Sequence, residues 1–297
     1  TIKTKRMATK ALAYPIKVGL IGHGAIGSVV ANAVMNSTHG LDKTRIKLIA
    51  ILTKNPRSEE TIVNFSNNNI LLTTNPEDFF STEFDVCVEA AGQPAVREHG
   101  EQCLLSGRNF LCTSIGALTN NTLLQKLRNA AINGNSQLQL ASGAMPALDW
   151  MGASALESGS TVIATQTKPP ESWKNARFKP NSTEQLEDVH DYDSITKPEI
   201  VFDGPAREAA SYYPKNSNIL AMLALTTSGL DNTNVRMVAD PIDKSMRQCI
   251  EYNGSAGKIK LNVWGKKSPT NPKTSQVVPL AVIKALKNMS SPIAFGL

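Results

Sequence analysis

Aromatic residues are scarce. Phe, Trp and Tyr together make up 5% of the 297 residues, so any core must rest on Ile, Leu, Val and Ala. Cysteine is scarcer still, with Cys87, Cys103, Cys112 and Cys249 and no CxxC pair among them. That spacing argues against a zinc set and against a disulfide framework, so no metal is expected. It fits a reducing compartment, the cytoplasm. Cys87 lies in an apolar run and reads as a small core residue. No apolar run reaches the roughly 18 residues of a membrane helix, and the polar, basic start 1–10 lacks the apolar stretch of a secretory signal. Charge of one sign is not concentrated either. The 31 Lys and Arg against 25 Asp and Glu leave a net +6, but they are scattered, which speaks against a nucleic-acid partner and suits small anionic ligands.

What is present is alternation of strand and helix. IKVGLI (Ile16 to Ile21) reads as a buried parallel strand, and the glycine-rich GHGAIG follows at once. Ile26, Val29, Val30, Ala33 and Val34 then recur at helical spacing. Ile46 to Leu52, DVCVEAAG from Asp85, and GRNFLCTS from Gly107 read as further strands, and Asn121 to Ala131 as a helix. Asn64 to Asn75 reads as loop around a short strand at Ile70 to Leu72. This order predicts an α/β fold: a dinucleotide-binding Rossmann domain with a parallel sheet covered on both faces, followed by a second α/β domain. The texture changes near Gly143. Lys168 to Pro198 reads as a polar surface excursion, Glu199 to Phe202 as a strand, and Ser217 to Ser228 as a helix capped from Asn216 to Asn218 and ended by Gly229. NVRMVADP and KIKLNVWG read as strands. The last element, Thr274 to Asn288, is nearly apolar all round and is expected to be buried, packing back on the first domain. The expected division is 1–143, with 276–297 returning, for dinucleotide binding, and 144–275 for substrate and dimerisation.

GxGxxG alone is a weak signal, but here it lies between a strand and a helix, the context it requires. Gly22 permits the tight turn, Gly24 leaves room for a pyrophosphate, and Gly27 lets helix and strand pack closely. With His23, Ala25 and Ile26 these residues form the candidate phosphate cradle at the helix N-terminus. Ala91 and Gly92, closing the strand DVCVEAAG, join the cofactor candidates. The second strand lacks the acidic residue that would bind the ribose hydroxyls of NAD. Thr53, Lys54 and Arg57 follow it instead, and cations there suit the 2′-phosphate of NADP. NADP is therefore expected over NAD, the alternative being that Lys54 and Arg57 are solvated loop charges.

VEAAGQPAVREHG, TSIGAL, ASGAMPALD, TKPPESWK, VFDGPAREAASYYPKNSNILAMLAL, VADP and NPKTS occur in that order. Together they resemble the L-aspartate dehydrogenase family over about Lys17 to Asn288. The resemblance implies a nicotinamide-dependent oxidation of L-aspartate to iminosuccinate, or the reverse reductive amination of oxaloacetate with ammonia. It also implies a Rossmann domain, an α/β domain with an open mixed sheet, and a homodimer. Ala144, in the SGA turn, and Asn218, in PKNSN, match family positions that contact the cofactor. One departure stands out. The family's Asn-x-His-x-Ile carries the catalytic His, and the matching stretch here is Met246 to Ile250, MRQCI, with Gln248 in place of that His. An amide can donate and accept hydrogen bonds but carries no proton near neutral pH.

Other residues remain open. Lys168, held by two prolines after a strand, is a candidate catalytic or carboxylate-binding group, or a surface lysine. Asn271, Lys273, Thr274 and Ser275 begin the last helix in this reading and could bind the substrate's anionic groups, or simply cap it. Asp149 reads as structural or as a helix cap. His23 reads as a cofactor-side contact, His39 and His99 as surface or structural groups, and His190 as part of the polar excursion. With Gln248 in place of His, an imine reductase or amino-acid dehydrogenase acting on another substrate stays open beside aspartate dehydrogenase. So does an NADP-binding protein without catalysis.

Overall fold

The computed structural model describes residues 14–173, 192–214, 217–243, 245–269, 271 and 274–296. The chain divides into two compact units. The first runs to Ala141 and takes in the chain again from Pro279, and the second runs from Ser142 to Val278.

The first unit alternates strand and helix: β1 (Ile16–Ile21), α1 (Gly27–Met35), β2 (Ile46–Leu52), α2 (Glu59–Asn67), β3 (Leu71–Thr73), α3 (Pro76–Ser81), β4 (Val86–Glu89), α4 (Gln93–Leu105), β5 (Asn109–Cys112), α5 (Asn121–Asn133) and β6 (Leu138–Leu140). Its six strands pair in the order β3-β2-β1-β4-β5-β6, all parallel. That is the doubly wound Rossmann order. Ile16, Val18 and Leu20 are fully buried, together with Val86 and Val88 of β4 and Val30 and Val34 of α1. Near-continuous apolar strands of this kind need cover on both faces, which helices supply.

The second unit contains α6 (Leu148–Ser154), β7 (Thr161–Lys168), β8 (Glu199–Pro205), α7 (Ala206–Tyr212), α8 (Ser217–Thr226), β9 (Thr233–Ala239), β10 (Met246–Gly254) and β11 (Gly257–Gly265). The sheet order is β11-β10-β7-β9-β8. Only β7 and β9 pair in parallel; the other neighbours are antiparallel, so the sheet is mixed. One face is apolar, with Val162, Ala164, Val235, Met237 and Ile250 buried, and the helices α6, α7 and α8 belong to this layer. The other face is polar, carrying the Arg236–Asp203 ion pair at 2.9 Å and the Lys260–Glu251 pair.

The final helix, α9 (Val277–Ser290), crosses the boundary between the units. Its Val282, Ile283 and Leu286 join the core of the first unit. It is not buried all round, for Val277 and Leu280 are exposed. Of the buried positions Pro279, Ala281, Val282, Ile283, Leu286 and Ser290, all but Ala281 recur at three and four, which sets most of the burial on one face.

Several expectations need correction. Asn64 to Asn67 are helical, not loop. Ser58 caps α2 by accepting from the Thr61 amide, and Glu59 and Glu60 fill its first turn, where acids favour the helix dipole. That capping outweighs the polar composition that suggested a loop. The short helices α3, α6 and α7 add to the expected elements, and β8 runs on to Pro205. Trp173, inside the expected surface excursion, is buried; residues 174–191, with His190, lie outside the described residues, as do Lys215 and Asn216. No described helix is long and apolar enough to cross a membrane.

Candidate active site

The glycine turn is shaped by packing that side chains would destroy. Gly22 has φ +99°, and a Cβ on it would lie 2.6 Å from the Ala90 carbonyl oxygen. Its own amide donates to Leu52 O at 2.8 Å, which ties the turn to β2. A Cβ on Gly27 would lie 2.0 Å from Gly22 O. Gly24 differs, because a Cβ there would meet nothing within 4 Å. The turn is thus closed behind Gly22 and Gly27 and open at Gly24, beside the N-terminus of α1. This fits a dinucleotide pyrophosphate, which needs close backbone approach and the positive end of a helix. Ala25 and Ile26 complete the turn, half-buried. The ring of His23 packs edge-on to Phe65 at 5.2 Å. Burial, and secondarily the charge of Arg57, hold its imidazole below its ordinary pKa. Thr53 is buried and donates to Asn55 O. Lys54 and Arg57 are exposed.

The loops after β4 and β5 are organised by a residue the sequence reading missed. Glu89, the last residue of β4, is fully buried. Its Oε1 accepts from the amides of Ala91 and Gly92, each at 2.8 Å, and from Ser114 Oγ at 2.8 Å. Its Oε2 accepts from the amides of Thr113 at 3.2 Å and Ser114 at 2.9 Å. A buried carboxylate needs such saturation. The amides of Ala91 and Gly92 are therefore committed to Glu89, and the Gly92 carbonyl accepts the Ala95 amide at 3.0 Å, so the loop meets a ligand through its surface and not through these groups. The signal in the sequence was an acid within the apolar run DVCVEAAG.

In the second unit, polar groups gather at one end of the helix-covered sheet face. Directly opposed residues of an antiparallel pair share a face. On β7 and β10 the opposed pairs are Ala164 with Ile250 and Gln166 with Gln248, with Lys168 ending β7. Gln166 is 3% exposed. The side-chain oxygens of both Gln166 and Gln248 are buried without a hydrogen-bond partner among the described residues. Lys168 is no plain surface lysine. Its Nζ lies 5.0 Å from the centre of the Trp173 ring, and burial, with the neighbouring charge of Lys267, pulls its pKa down to about 8. Beside it, the Lys168 carbonyl accepts the Asp240 amide, and Asp240 Oδ1 accepts from the amides of Ile242 and Asp243.

These two polar centres can be set beside known proteins. Residues 149–289 match the family model described as aspartate dehydrogenase, C-terminal, and residues 22–141 match the homoserine dehydrogenase NAD-binding domain. The chain is 33% identical to the L-aspartate dehydrogenase of Ralstonia pickettii, over 94% of this chain and 99% of that protein. This chain belongs to the L-aspartate dehydrogenase family. Its relative from Pseudomonas aeruginosa is likewise 33% identical, with the same coverage of both chains. In fold it is similar to the crystal structure of aspartate dehydrogenase from Thermotoga maritima, with a TM-score of 0.68 and 18% identity, covering 94% of this chain and 99% of that one.

The remaining family-derived positions are spread over the second unit. Ala144 follows Gly143, whose φ is +60°, in the turn before α6, and is half-buried. Asn218 is exposed on the first turn of α8. Asn271, Thr274 and Ser275 do not open the last helix, as expected from the sequence. Thr274 O accepts from the Ser268 amide, the Thr274 amide donates to Asn271 O, and Ser275 bridges Lys267 in antiparallel fashion. Backbone groups paired in this way cannot enter a helical ladder, so α9 starts at Val277, and the argument for an anion site at its N-terminus falls. Lys273 lies outside the described residues. Asp149 sits in the first turn of α6. His99 is buried beside Phe80, and His39 is exposed with Nδ1 2.9 Å from Thr38 Oγ1. Both fit structural roles. Among the described residues no three His, Cys, Asp or Glu come together as a metal set.

Proposed function

We propose that the chain is an NAD(P)-dependent dehydrogenase that interconverts L-aspartate and iminosuccinate, the latter in exchange with oxaloacetate and ammonia. The observation that carries this reading is its 33% identity to L-aspartate dehydrogenases across nearly their whole length. The first unit, with its glycine turn, takes the dinucleotide. The second takes the amino or imino dicarboxylate and a second copy of the chain, and the exposed Trp264 and Ile200 on the polar sheet face support a homodimer. NADP is the preferred carrier, because Lys54 and Arg57 stand where NAD enzymes place an acid. Free cysteines suit the reducing cytoplasm.

The bound nicotinamide supplies the hydride acceptor or donor. The chain's own residues then have three tasks. Gly22 to Gly27, with His23, Ala25 and Ile26, hold the pyrophosphate. Lys168 pairs with a substrate carboxylate. Gln248, a neutral amide, orients the reacting nitrogen without carrying a proton. That last feature favours a second reading on the same scaffold, an imine reductase, since reducing a preformed imine demands less proton handling than oxidising an amine and hydrolysing the product.

The test follows NADPH absorbance with oxaloacetate and high ammonia, for the native chain beside Gln248→His. Turnover by the native chain supports the aspartate reading. An inert native chain that gains activity in Gln248→His points to the imine reductase. Inertness of both, with NADPH bound, leaves a cofactor-binding protein without catalysis and sinks the proposal.

A further inference from the structure

Gln166 carries no role so far, yet its place on the sheet is unusual. It lies directly across the β7–β10 ladder from Gln248, so both side chains leave the same face. On that face the next pair inward, Ala164 and Ile250, is fully apolar and buried. Met237 of β9, level with Gln166 on its other side, is buried too. Two amide carbonyl oxygens are therefore buried side by side against apolar walls, and neither accepts a hydrogen bond from any described residue. Buried acceptors are nearly always paired, because an unpaired one forfeits its hydration for nothing. Two such atoms together mark a place built for donors that arrive from outside.

We infer that Gln166 and Gln248 form a paired acceptor that selects the substrate by the N–H groups on its reacting nitrogen. This rests on the reading of the chain as an aspartate dehydrogenase and adds to it the basis of nitrogen recognition. An ammonium or iminium nitrogen offers at least two N–H donors and can satisfy both oxygens. A hydroxyl offers one, and a methylene or a carbonyl none. Each missing donor leaves a buried acceptor unpaired, which is how a polar site rejects an isostere more sharply than an apolar one can. Lys168 lies two strand residues beyond Gln166, about 7 Å along β7. That spacing places a cation for the substrate's carboxylate next to the acceptors for its nitrogen. The pair is neutral over the working pH range, so nitrogen binding by it is separated from proton transfer.

The experiment is calorimetric titration of the full chain, loaded with NADPH so that no oxidation occurs, with L-aspartate, L-malate and succinate. The expected result is aspartate bound at least about ten-fold tighter than malate or succinate. Gln166→Leu and Gln248→Leu should each lose most of that preference while succinate affinity stays. Their melting temperatures should equal or exceed the native value, because an unpaired acceptor is replaced by an apolar group of similar volume. Gln166→Met and Gln248→Met repeat the test should leucine fail to fold. Equal binding of aspartate and malate by the native chain overturns the inference. So do variants that melt lower yet keep the preference, since the amides would then be structural. If none of the three ligands binds, the aspartate reading itself fails and this inference goes with it.

Discussion

Arg57 donates from its guanidinium to the backbone carbonyl of His23 at 2.8 Å. The loop after β2 is thereby fastened to the glycine turn by the same cation that the sequence marks for the NADP phosphate. Arg57→Glu removes the tie and places an acid where NAD enzymes have one. We expect the KM for NADPH to rise by roughly 10- to 100-fold, the worth of a charged hydrogen bond, and the KM for NADH to fall or stay. Steady-state kinetics with both cofactors decides it, and an unchanged NADPH preference refutes the assignment of Arg57.

Gly24 and Gly27 should fail in different ways. Gly27→Ala drives a methyl into the Gly22 carbonyl and should unfold or strongly destabilise the first unit. Gly24→Ala meets open space, so its melting temperature should match the native chain while NADPH affinity drops. Thermal melts paired with NADPH fluorescence titration separate the two. A Gly24→Ala chain that binds NADPH normally would show that the turn does not hold the pyrophosphate.

Glu89→Gln keeps the side chain's size but turns one acceptor into a donor facing amides that also donate. At least one buried N–H of the Thr113–Ser114 or Ala91–Gly92 loops then loses its partner. The expected cost is on the order of 2–4 kcal/mol, read by urea unfolding. A change smaller than about 0.5 kcal/mol would mean that the loops do not depend on this carboxylate.

Lys168 makes stability depend on pH in a definite sense. Its pKa is held at about 8, below the ordinary 10.5, so between these values the folded chain binds fewer protons than the unfolded one. Stability from this group therefore grows as pH rises through that window and is least below pH 8. Lys168→Met should melt higher than the native chain at pH 7, with the gap closing toward pH 10. Native affinity for a dicarboxylate should fall as pH climbs past about 8, and the variant should lack that dependence. A gap that does not vary with pH refutes the account.

The strand–turn–helix around Gly22, Gly24 and Gly27 was legible because both its chemistry and its packing are local. The returning helix was legible from apolar composition, but its one-sided burial follows from Lys284, Lys287 and Asn288, which a count of apolar residues passes over. The Thr274–Ser275 segment misled because hydroxyls before an apolar run look the same whether they cap a helix or pair in a turn. Glu89 and Gln166 could not be read at all as site residues. Each owes its place to strands distant in sequence, β5 for Glu89 and β10 for Gln166, and register across a sheet is not written in either strand alone.

Leu286 and Val282 pack with Val18 and Ile46 across more than two hundred residues of intervening chain. During synthesis the cofactor-binding sheet emerges before the second unit, yet part of its apolar cover is translated only after that unit. Until α9 arrives, that surface stands open to water and to other chains, so the nascent enzyme passes through a stage when it can bind a chaperone or aggregate. A shortening of the chain before Pro279 would make that stage permanent, with loss of the cofactor unit although every residue of the glycine turn is present.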